Sequence, residues 1–139
     1  MNSIVMKKIL LVVFVACLFT AAGGAQNLVG MSSGDITSYL KDKKGINPDS
    51  LMLNKNSNGT SYISYQTAEK KIVYFLDSSN TCYTYRVIYP YNQLNSVLKK
   101  LDEQFVPQGR FKWLVYGRQT FVITLEPNED FFVTDMSLQ

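Results

Sequence analysis

Three β-rich runs, residues 60–67, 70–77 and 81–89, are separated by only two and three residues, Ala68-Glu69 and Ser78-Ser79-Asn80. A parallel crossover needs about a dozen residues or more, whereas a hairpin closes in a few. These gaps therefore dictate an antiparallel meander. The same logic applies to 111–116, 119–126 and 131–136, with turns at Gly117-Arg118 and Pro127-Asn128-Glu129. Along 120–125, Phe121, Ile123 and Leu125 alternate with Thr120, Val122 and Thr124, the period of a half-buried strand.

Each group of strands follows a helical pattern. Ser32 with Asp35 three residues on resembles a capping box, and Asp35 suits the positive end of the helix dipole. Ile36, Tyr39 and Leu40 share a face, and Gly45 fits the stop, so a first helix is expected over 33–44. The second is clearer. Leu94, Val97, Leu98, Leu101 and Phe105 make an apolar stripe opposite Lys99, Lys100, Asp102, Glu103 and Gln104, between Pro90 and Pro107. Leu51-Met52-Leu53 reads as a short strand or an apolar plug. The expectation is an α+β fold of two αβββ units, about 32–89 and 90–139, with both helices packed on one sheet face. The other face would meet solvent or a partner.

Residues 1–25 read as a signal peptide. Lys7-Lys8 precede an uncharged run, 9–19, and Gly23 and Ala25 have the spacing for a cut after Ala25. A membrane-spanning helix needs about 20 apolar residues, about twice this run. A lipoprotein signal acylated at Cys17 is a minor alternative. The mature domain is then 26–139, periplasmic or extracellular, with a net charge of +1 in place of +3. That balance offers no electrostatic footprint for nucleic acid, and no transmembrane segment is expected in the mature chain.

Only Cys82 remains after such a cut, so packing and not a disulfide must hold the domain. Cys82 is expected to be a small buried strand residue; an intermolecular disulfide or reactive thiol is the sharper alternative. The chain has no histidine. Triads, histidine bases and the usual zinc sites are thereby excluded, and neither catalytic nor metal nor cofactor residues are assigned. Glu126, Glu129, Asp130 and Asp135 gather near the last hairpin but read as a solvated turn without calcium-loop spacing. Asn58-Gly59-Thr60 matches an N-glycosylation acceptor, of use only on a eukaryotic secretory route.

All nine tyrosines lie beyond the signal. Tyr83, Tyr85 and Tyr89 are expected on one face of a strand with Val87, either as core or as a recognition face for a protein or peptide partner.

The run Tyr91-Asn92-Gln93-Leu94 to Leu101, followed by Phe105-Val106-Pro107, Phe111-Lys112-Trp113 and Phe131-Phe132-Val133-Thr134, resembles the small exported proteins common in Bacteroidota. The tandem plan is similar to the β-lactamase-inhibitor-protein and PepSY group of folds. The resemblance implies a periplasmic or surface protein that binds something, and carries no catalytic residue. The reading is an exported, non-catalytic binding or inhibitory module acting through its exposed sheet face. The alternatives are a carboxylate- or tyrosine-dependent enzyme and a structural subunit of an envelope assembly.

Overall fold

The structure, a computed structural model, describes residues 28–139. The signal segment 1–25, its cut site and Cys17 lie outside the described residues.

Helix α1, Ser33–Lys44, begins where the Ser32 Oγ accepts the Asp35 N–H at 3.2 Å. It stops at Gly45, whose left-handed φ of 64° lets its N–H donate to the Leu40 carbonyl. After a 3₁₀ turn, Pro48–Ser50, come β1 Met52–Lys55, β2 Ser61–Gln66, β3 Lys71–Leu76 and β4 Cys82–Pro90. A second 3₁₀ turn, Tyr91–Gln93, leads into α2 Leu94–Gln104. Then follow β5 Val106–Pro107, β6 Lys112–Val115, β7 Phe121–Pro127 and β8 Phe131–Leu138.

The strands form one eight-stranded antiparallel sheet in the order β1-β2-β3-β4-β8-β7-β6-β5. Two meanders thus meet at their last strands, β4 and β8, the longest among the described residues. The α+β class and the antiparallel sheet follow the expectation. The two αβββ units do not, because each helix is followed by four strands. Met52–Lys55 pairs with β2 as a full edge strand, and Val106–Pro107, expected as part of a helix stop, pairs with β6.

The register fixes which side chains share a face. Ile63, Tyr74, Tyr85, Met136, Ile123 and Trp113 stand opposite one another across six strands. Both helices pack on that face. Ile36 and Leu40 of α1 cluster with Ile63, Ile72, Tyr74 and Leu76. Val97 of α2, with Leu94, Leu98 and Leu101 beside it, clusters with Trp113, Phe121, Ile123 and Phe132. Within the α2 stripe only Val97 is buried; Leu98 and Leu101 are half-buried. Asp102, on the polar side of the pattern, accepts a 2.8 Å hydrogen bond from the buried Trp113 indole.

Width explains what the helices leave bare. Eight strands span about 34 Å, while each helix covers about 10 Å. The centre of the helix face is therefore a trough, and the opposite face has no helix over it among the described residues.

Candidate functional site

Of the three tyrosines expected to share a face with Val87, Tyr85 and Tyr89 do and Tyr83 does not. Leu76 pairs with Cys82, yet the preceding Phe75 pairs with Thr84, so Tyr83 is the extra residue of a β-bulge. A bulge inserts one residue and reverses the alternation beyond it. Cys82 and Tyr85 both point to the helix face, although three residues apart, because the bulge absorbs the odd step. Tyr83 is turned to the opposite face, 46% exposed, with its ring 6.4 Å from Phe75.

Tyr85 and Tyr89 are half-buried and pack against both core clusters. Tyr85 lies 5.7 Å from the Tyr74 ring, and Tyr89 stacks on Phe132 at 5.0 Å and 13°. Together with Tyr39, Tyr74 and Ile72 they line a trough of about 420 Å³ between the helices, with Lys44, Lys70 and Gln104 around it. Burial pushes the Tyr74 and Tyr85 phenols far above the ordinary tyrosine value, and raises Tyr65 and Tyr89 as well. These hydroxyls stay protonated through the physiological range, which suits hydrogen bonding and not proton abstraction.

The open face carries a different set. Tyr62 on β2, Phe75 on β3 and Tyr83 on β4 form a row of rings at 6.3 and 6.4 Å centroid spacing, tilted by 49° and 41°. Arg86 extends the row, its guanidinium 6.0 Å from the Phe75 ring centre. Arg86 in turn donates through Nε and NH2 to both Asp135 carboxylate oxygens, at 2.8 and 3.0 Å, across the β4–β8 seam. These hydrogen bonds to a carboxylate hold the guanidinium above its ordinary pKa. Asp135 is thus spoken for by Arg86, while Glu126, Glu129 and Asp130 are exposed around the β7–β8 turn. Among the described residues no group of three or more His, Cys, Asp or Glu could hold a metal ion.

Cys82 is 1% exposed, and burial pushes its thiol up to about 11. That is the environment of an inert structural cysteine. No helix among the described residues is long and apolar enough to cross a membrane.

Of the expected recognition residues the structure keeps Tyr83 at the surface and brings it to Tyr62, Phe75 and Arg86, which the sequence did not single out. The available signal was Cys82. As a small apolar residue out of phase with Tyr85, Val87 and Tyr89, it marks the irregularity. No family model, curated protein or solved structure matches this chain.

Proposed function

We propose that the protein is an exported, non-catalytic binding module that holds a protein or peptide partner on the open face of its sheet. One observation carries this reading. The row Tyr62–Phe75–Tyr83, flanked by Arg86, stands on the face turned away from both described helices. A sheet face turned to water ordinarily reads polar. Here Val73, Val133 and Leu114, themselves buried, and the half-buried Ile88 and Val122 occupy the same side as the rings. The runs Ile72-Val73-Tyr74-Phe75-Leu76 and Phe131-Phe132-Val133 are those of strands meant to be covered on both faces. Aromatic rings beside an arginine are the composition of interface anchors.

The test is capture from an envelope extract of the source organism on immobilised wild type, Tyr83→Ala and Tyr116→Ala. Tyr116, also exposed, sits beyond β6 and controls for loss of any surface ring. A partner kept by wild type and Tyr116→Ala but lost by Tyr83→Ala is the expected result, with affinity falling by about 2 kcal/mol. Equal retention by all three baits would remove the open face from the account.

A further inference from the structure

We propose that β1 is a self-pairing edge, through which two copies of this chain join into one continuous sixteen-stranded sheet. The argument is a complete accounting of backbone hydrogen bonds along that strand. In an antiparallel ladder, opposed residues alternate between pairs that exchange bonds and pairs whose N–H and C=O point away. The Asn56 N–H donates to the Thr60 carbonyl at 2.7 Å, which sets the phase. Asn54 with Tyr62 and Met52 with Ser64 are then the bonded pairs. Leu53 and Lys55 face outward, and among the described residues no strand pairs with their N–H and C=O groups along the sheet edge.

The two edges of the sheet are not equivalent. At the far edge β5 has only two residues, one of them Pro107, which lacks an N–H. Short length and proline are how sheets protect an edge. β1 lacks that protection. Met52 and Leu53 are 59% and 67% exposed, and Lys55 is its single charge.

Self-complementarity selects a second copy as the occupant. A two-fold axis through Asn54, normal to the sheet, sets Leu53 opposite the other copy's Lys55 and Lys55 opposite its Leu53. Both pairs are of the bonded kind, so all the outward groups of Leu53 and Lys55 are used in both copies at once. No like charges stand directly opposite, each lysine stem lies along a leucine, and the two Asn54 carboxamides meet, each able to donate and accept. The arrangement has a consequence on the open face. Asn54, Tyr62 and Phe75 are consecutive cross-strand neighbours there, with Tyr83 beside Phe75. Pairing about Asn54 would align the two aromatic rows across the axis on one side of the joined sheet.

The purified protein is examined by sedimentation equilibrium from about 10 µM to about 1 mM. The expected result is a monomer–dimer equilibrium. Leu53→Pro removes an N–H that the monomer does not use, and should weaken dimerisation by about tenfold with little change in melting temperature. Asn54→Cys, in a Cys17→Ser background, is the second measurement. Its two copies form a non-bonded pair with Cα atoms about 4.5 Å apart, within disulfide reach. Mild oxidation should therefore cross-link Asn54→Cys efficiently. A wild type that stays monomeric at the highest concentration overturns the proposal. So does a dimer unaffected by Leu53→Pro, or one in which Asn54→Cys does not cross-link.

Discussion

Tyr83 and Tyr85 are two residues apart, and truncating each ring should give opposite results. Tyr85 packs against both core clusters and lies 5.7 Å from Tyr74. Replacing a packed aromatic by alanine costs about 3–5 kcal/mol, since the cavity closes only partly. Tyr85 is half-buried, which places the expected loss near about 3 kcal/mol. Tyr83 is 46% exposed, and its ring contact is Phe75 at 6.4 Å, so its removal should cost about 1 kcal/mol or less. For a domain of this size each kcal/mol moves the melting point by about 3–6 °C. Tyr85→Ala should then melt about 10–15 °C early, and Tyr83→Ala within about 5 °C of wild type. Urea titration adds the check that the m-value is unchanged, so that stability and not the denatured state has moved. Equal losses at the two positions would mean that the bulge does not separate the faces, and the split between core and open surface would fall with it.

Other outcomes follow from single contacts. Asp102→Ala leaves the buried Trp113 N–H without its acceptor and should cost about 1–2 kcal/mol in a denaturant titration, whereas Lys99→Ala should stay within about 0.5 kcal/mol. Val97→Ala should destabilise more than Ser96→Ala by about 1–2 kcal/mol, because Val97 is the buried member of the α2 stripe; equal effects would refute that packing. Stability should fall above about pH 9. Cys82 is raised in the folded state from 9.0 to about 11, so the native chain holds a proton that the unfolded chain releases. Its contribution is full below pH 9 and is lost as pH rises through about 11, with the raised tyrosines adding to the decline at higher pH. Denaturant titrations from pH 8 to 11 that show constant stability would overturn this. In native protein at pH 8, a thiol reagent should modify Cys82 only at the rate of unfolding.

Much of the scaffold could be read before the structure because its signals are local. Ser32 with Asp35, the stripe from Leu94 to Phe105, and the short gaps at 68–69 and 78–80 each act within a few residues. What was hidden depends on a partner strand. Val106–Pro107 becomes β5 only because Leu114 and Trp113 lie opposite, and two residues have no periodicity of their own. The bulge at Tyr83 is a mismatch between β3 and β4, so counting along β4 alone assigns Tyr83 to the wrong face. Leu98 and Leu101 lie in the apolar stripe, yet Val97 takes the buried centre. Where a helix sits above a sheet is a tertiary fact that a stripe about 100° wide does not specify.

The same long-range character decides where this molecule can carry a binding surface. Each meander pairs neighbours in sequence, but β4 and β8 are joined across about fifty residues, as in Thr84 opposite Ser137. A seam with so large a closure entropy needs bonding beyond its ladder. It has that bonding on both faces. On the helix face Tyr89 stacks on Phe132, and Tyr85 stands opposite Met136. On the open face Arg86 grips Asp135 with two hydrogen bonds. Phe75 then lies against that guanidinium, and Tyr62 and Tyr83 lie against Phe75. The rings of this row, half-buried at Tyr62 and Phe75 and exposed at Tyr83, are therefore anchored at the point where the two halves are locked. A partner held there would meet side chains whose positions are already set, which lowers the ordering entropy lost on association. Arg86→Ala should accordingly weaken both the seam and the row, whereas Tyr83→Ala should weaken the row alone.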